Sequence, residues 1–129
     1  MKQPYLLLLI LCVSPVRFLL TDPIDDIAGF IRQGNIQQLS TLFAPSVEIS
    51  LLGEENVYSK VQAELILDKF FNQNKPKAVK MLHRIDSNPN YLFGVLIVNT
   101  DKGTFRIACT LKQVDGSIKL IEMRIEPEK

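Results

Sequence analysis

The sequence predicts an α+β domain in which three helices from the N-terminal half pack on a mainly antiparallel sheet built largely by the C-terminal half. Three observations carry this. Between Gly103 and Pro127 two runs alternate with period two, Phe105, Ile107, Cys109 and Leu111, then Ile121, Met123 and Ile125, the pattern of a half-buried strand pair. Ile24, Ile27, Ala28 and Ile31 recur instead at helical spacing. Ser59 and Gln62 form a capping box ahead of a third apolar stripe, Ala63, Ile66, Leu67 and Phe70, which marks a long helix as the main cover for the sheet.

The chain of 129 residues has room for one domain with a real core. Its 47% apolar and 22% charged residues argue against disorder. Fifteen Lys and Arg stand against fourteen Asp and Glu, a formal charge of +1, and the bases are scattered, so nucleic acid is not an expected partner.

Lys2 followed by the apolar run Tyr5 to Val13, ending at Ser14 and Pro15, reads as a signal peptide over residues 1–20, with an unmarked cleavage site and a single mature domain over 21–129. A membrane span needs about 20 apolar residues, and Pro15 and Arg17 interrupt the run first. The expectation is export to the periplasm or cell envelope, with no stable membrane span in the mature form; the alternative is an N-terminal membrane anchor. Cys12 is one more apolar residue of this leader, because Leu11 stands where a lipidation signal needs a small residue. Cys109 lies on a core strand, so no mature disulfide is expected.

In the mature domain, Asp22 and Pro23 open the first helix, with Asp25 and Asp26 suited to its positive dipole end and Gly34 closing it. Asn35 caps a second helix, with Ile36, Leu39, Leu42 and Phe43 facing the core and Pro45 ending it. Val47, Ile49 and Leu51 predict a strand, and Gly53 turns the chain into a short extended piece reaching Val57 and Tyr58. After the third helix, which ends within 72–76, strands are expected over 78–85 and 91–100, separated by a loop over 86–90. Requiring every apolar residue to share one face selects three-residue loops, Asp101-Lys102-Gly103 and Val114-Asp115-Gly116, which set Ile97 and Met123 opposite Ile107 and Ile121 opposite Cys109. In that register Met81, His83, Phe93, Val95, Ile107, Cys109 and Met123 line the helix-covered side. Leu92, Leu96, Leu120, Lys80, Arg84, Arg106, Glu122 and Arg124 lie outside, where their apolar members call for a second copy of the chain.

This order of elements resembles the nuclear transport factor 2-like superfamily, a cone-shaped α+β fold. More closely, DPIDDIAGFIRQGNIQQLSTLFAPSVEISLLG, VYSKVQAELILDKFF and GTFRIACTLKQVDGSIKLIEMRIE are similar to a family of small exported bacterial proteins within it, domain-of-unknown-function family 4783, with the likeness covering Asp22 to Glu126. The resemblance implies a curved sheet, a homodimer through the sheet's outer face, a conical pocket on the other face, and no transferable active site.

Candidate chemistry is sparse. His83 is the one histidine and titrates near neutrality as a residue type, so it is the candidate acid or base, with Tyr58 as its partner. Glu48 lies on the polar side of its strand and reads as a solvated or interface carboxylate. Cys109 reads as a small buried apolar residue rather than a nucleophile. One histidine and one mature cysteine do not make a metal site, and no cofactor is expected. Two functions follow. The preferred one is a non-catalytic module that holds a small apolar ligand or assembles through its sheet; the alternative is a cofactor-independent isomerase-like or dehydratase-like enzyme using His83 and Tyr58. Only the second needs two polar groups converging in a cavity.

Overall fold

The computed structural model describes residues 22–129, so the apolar leader, Cys12 and the start of the mature domain lie outside the described residues. The elements run α1 (Pro23–Gln33), α2 (Ile36–Ser40), β1 (Phe43–Leu51), β2 (Glu54–Ser59), α3 (Lys60–Gln73), β3 (Pro76–Asn88), β4 (Tyr91–Thr100), β5 (Gly103–Val114) and β6 (Ser117–Pro127). The strands form one sheet in the order β2-β1-β6-β5-β4-β3, parallel between β1 and β6 and antiparallel elsewhere.

The helix ends follow local chemistry. Asp22 accepts from the Ile24 amide at 2.8 Å, and Gly34, at φ 68°, closes α1 in the left-handed region. The Ser59–Gln62 capping box forms in both directions, at 3.1 and 3.3 Å. The second helix is shorter than its pattern implies. Ser40 and Thr41 hydroxyls donate back to the carbonyls of Gln37 and Gln38 at 2.7 and 2.6 Å, and the Leu42 carbonyl accepts from the Leu120 amide at 2.7 Å. Phe43 therefore begins a strand, and Pro45 sits inside β1. There the β1–β6 register shifts between Phe43 and Glu48, where a missing N–H disturbs the ladder least.

The β4–β5 and β5–β6 loops are both one residue tighter than expected. Thr100 pairs with Gly103, so Asp101 and Lys102 form a two-residue turn, held by Thr100 Oγ1, which donates to the Gly103 carbonyl at 2.7 Å and accepts from the Lys102 amide at 3.1 Å. Leu96, not Ile97, thus lies opposite Ile107, and all of β4 is turned over: Leu92, Leu96 and Val98 face the helices, while Phe93, Val95 and Ile97 face away. Asp115 and Gly116, at φ 50° and 85°, likewise form a two-residue turn of the hairpin-favouring kind. Leu111 pairs with Leu120 but Thr110 with Glu122, so Ile121 is an extra, bulged residue. That bulge sets Cys109 opposite Met123 and Ile107 opposite Ile125. A second irregularity at Leu82 splits β3: Val79 and Met81 pack on the core, whereas His83 and Ile85 pair with Val95 and Phe93 on the other side. The loop expected over 86–90 shrinks to a turn at Pro89 and Asn90.

The core lies between the helices and one face of the sheet. Ile24, Ile27, Ile31, Leu39 and Leu67 meet Val47, Leu96, Ile107, Cys109, Leu120 and Met123, all with no exposed surface. Phe70 meets Phe71 and Phe105 edge to face, at 5.1 Å between centroids. The seat of α1 on β4 is Gly94, where a Cβ would lie 2.7 Å from Cγ2 of Ile24. Arg84, turned to the helix side by the irregularity at Leu82, ion-pairs with Asp22 at 3.4 Å and with Asp25. These contacts fill the centre of the side of the sheet where a conical pocket was expected, around Met81, Ile107, Cys109 and Met123, and leave a hollow there between α3 and β1–β2.

Candidate functional site

The other face of the sheet has no helix on it among the described residues, and the pairings order it into rows. Lys80, Ile97, Arg106 and Glu126 lie side by side across β3, β4, β5 and β6. The next row runs His83, Val95, Ala108, Arg124, Ser50 and Glu55, and the third runs Ile85, Phe93, Thr110, Glu122, Glu48 and Val57. Apart from Arg124 on β6, bases thus gather toward β3 and β5 and carboxylates toward β6, β1 and β2, with an apolar strip of Phe93, Val95, Ile97 and Ala108 running between the bases of β3 and β5.

A cleft of about 400 Å³ opens on this face. Ile85, Phe93, Val95 and Ala108 give its apolar surface, and His83, Arg106, Arg124 and Glu126 its polar one. Arg124 and Glu126 approach to 3.9 Å, both about half exposed, which is a loose pair. Arg106 pairs with no carboxylate among the described residues. On the acidic side, the Glu48 carboxyl titrates above its ordinary range. A hydrogen bond with Glu55 is the largest cause, followed by the Glu55 charge, loss of water and the Glu122 charge, against an opposing pull from Arg124.

The expected site residues are redistributed between the two faces. Of the predicted pocket lining, His83, Phe93 and Val95 do surround a cleft, but on the open face; Met81, Ile107, Cys109 and Met123 belong to the packed core. Of the predicted interface, Arg106 and Arg124 are on the open face, whereas Leu92, Leu96 and Leu120 are buried under the helices. The slip at Asp101-Lys102 and the irregularities at Leu82 and Ile121 account for the exchange. Ala108, the cleft's central small residue, and Glu126 were not singled out by the sequence; the alternation of β5 continued through Arg106 would have found Ala108.

His83 and Tyr58 do not converge. They lie on the two edge strands, β3 and β2, and Tyr58 faces the helix side, where it lines a separate hollow with Leu51, Ile66 and Phe70. Cys109 is also on the face opposite His83, and burial pushes its thiol up to about 12, which keeps it a protonated, inert thiol. Among the described residues no group of three His, Cys, Asp or Glu side chains could hold a metal ion, and no helix is long and apolar enough to cross a membrane.

Solved structures place this fold. A DUF4783 family protein from Bacteroides uniformis is 22% identical, with 81% of this chain and 96% of that one covered and a TM-score of 0.78. Its counterpart from Bacteroides ovatus is 23% identical over 80% and 93%, at 0.76. An NTF2-like protein from Cytophaga hutchinsonii is 14% identical over 83% and 93%, at 0.62. The fold is therefore that of the nuclear transport factor 2-like proteins, three helices on a six-stranded curved sheet. No curated protein matches the chain. Residues 24–126 match the family described as a domain of unknown function, DUF4783, and the chain belongs to that family.

Proposed function

We propose that this chain is an exported, non-catalytic assembly module that works through the open face of its sheet, with a second copy of itself as the occupant. The observation that carries the reading is the ordering of that face: an apolar strip on β4 flanked by bases on β3 and β5, with carboxylates toward β6, β1 and β2. The opposite charges at the two ends of such a face are complementary to one another. A twofold axis along the strands between β5 and β6 sets β3 against β2, and β5 against β6, of the second copy. Arg106 then meets Glu126 of the second copy, His83 meets Glu55, and the exposed Ile85 meets the exposed Val57. Six strands about 4.8 Å apart give an interface near the lower limit of specific ones, roughly 1,000 Å² in total, so assembly depends on concentration. The apolar N-terminal run supports export to the periplasm or cell envelope.

Sedimentation velocity of the purified protein over a concentration series tests the assembly. A dimer is expected, weakened about tenfold or more by Arg106→Glu and recovered when Glu126→Arg is added. A wild-type protein that stays monomeric at roughly millimolar concentration would overturn the reading, as would a double variant no better than the single one.

A further inference from the structure

A flat face would suffice to dock a second copy, yet this one is hollowed, and the hollow has a chemistry of its own. In the central row, Ala108 stands between Val95 and Arg124, so a methyl group lies where its neighbours project further. The cleft over it, about 400 Å³, sits toward the small end of small-molecule sites. At about 30 Å³ for each water-sized group, it accommodates a molecule of roughly a dozen non-hydrogen atoms.

The charge inventory fixes the class of that molecule. Arg84 borders the cleft from the β3 edge, but its side chain is turned to the helix side and committed to Asp22 and Asp25. Arg124 is loosely paired with Glu126. Arg106 retains a guanidinium with no carboxylate partner among the described residues, beside the apolar surface of Phe93, Val95 and Ala108. A guanidinium forks onto a carboxylate with two parallel hydrogen bonds, a geometry that a neutral amide or a cation does not match.

We infer that this cleft is a binding site for a small amphipathic monocarboxylate, its apolar body on Phe93, Val95 and Ala108 and its carboxylate on Arg106. The site does not need the second copy. Because Arg106 serves both and His83 lines the same cleft, ligand and second copy compete for the face, and saturating ligand shifts the protein toward monomer.

The test is a titration with 2-naphthoate, using 2-naphthamide as the uncharged control, followed through backbone amide shifts of wild-type, Arg106→Gln and Ala108→Leu proteins. Expected are saturable shifts centred on Phe93, Val95 and Ala108. Affinity should be at least about tenfold lower for the amide and for Arg106→Gln, since even one of the two charge-assisted hydrogen bonds is worth that much, and lost in Ala108→Leu, whose side chain fills the hollow. Absence of saturable shifts, equal affinity for the amide, or binding that survives Ala108→Leu overturns the inference. The amide comparison uses wild-type protein and so stands whatever the variants do to folding. Sedimentation of the same samples separates the two readings: a protein that is monomeric throughout yet binds naphthoate refutes assembly alone, and a dimer indifferent to naphthoate refutes the carboxylate site alone.

Discussion

Helix α1 approaches the sheet closely at Gly94, and Gly94→Ala measures that joint. No positive φ is required there, so the added methyl is not opposed by the backbone. In space it arrives 2.7 Å from Cγ2 of Ile24, 3.3 Å from Cδ1 and 3.6 Å from Cγ1. Cγ2 hangs directly from Cβ, so it can retreat only by a χ1 rotation that a β-branched helical residue resists or by a shift of α1. Overpacking of this kind costs about 1–3 kcal/mol, and the lower entropy of unfolded alanine returns about 0.4–1 kcal/mol. The net loss is about 1–2 kcal/mol, or roughly 4–8 °C in Tm for a domain of this size. Urea unfolding at constant m-value reads it. Ile24→Ala alone should cost about 2–5 kcal/mol, and the double variant should cost less than the two together by about 1 kcal/mol, because the methyl added by Gly94→Ala occupies space that Ile24 vacates. A neutral Gly94→Ala, or strict additivity in the double variant, would refute the seating of α1 on β4.

Other perturbations probe the remaining features. Cys109 should resist iodoacetamide in the folded protein and react on denaturation, as mapped by mass spectrometry; ordinary thiol reactivity at that residue in native buffer contradicts its burial. Glu48 holds its proton more tightly folded than unfolded, so its contribution to stability falls as pH rises from about 4.5 through the folded value. Glu48→Gln should therefore raise Tm at neutral pH, with the gain fading below about 4.5; a gain independent of pH refutes the carboxylate cluster as its cause. Gly116 holds φ 85° in the β5–β6 turn, so Gly116→Ala should lose about 1–2 kcal/mol in urea unfolding. An unchanged midpoint would mean the two-residue turn is not formed.

Local order was legible where short-range chemistry decides it. Asp22, Gly34, Asn35, Ser59 with Gln62, and the period-two runs of β5 and β6 specify their elements through hydrogen bonds and burial patterns that span a few residues. The sequence also singled out His83, with Tyr58 as its partner, as the acid–base candidate, and predicted that the fold was a helix-covered sheet. Which face each strand shows was decided in three dimensions. The Thr100 hydroxyl fixed a shorter turn than the apolar pattern suggested, and one residue of slip carried Leu96 inward and Val95 outward. Extra residues at Leu82 and Ile121 restored the alternation of their strands only beyond the irregularity, which placed His83 on the open face and kept Cys109 and Met123 in the core. A bulge leaves no mark in composition or periodicity, because what selects it is the fit of a whole strand to its neighbours. Tertiary pairing alone therefore assembled Arg106, Ala108 and Phe93 into one cleft, and separated His83 from Tyr58 across the full width of the sheet.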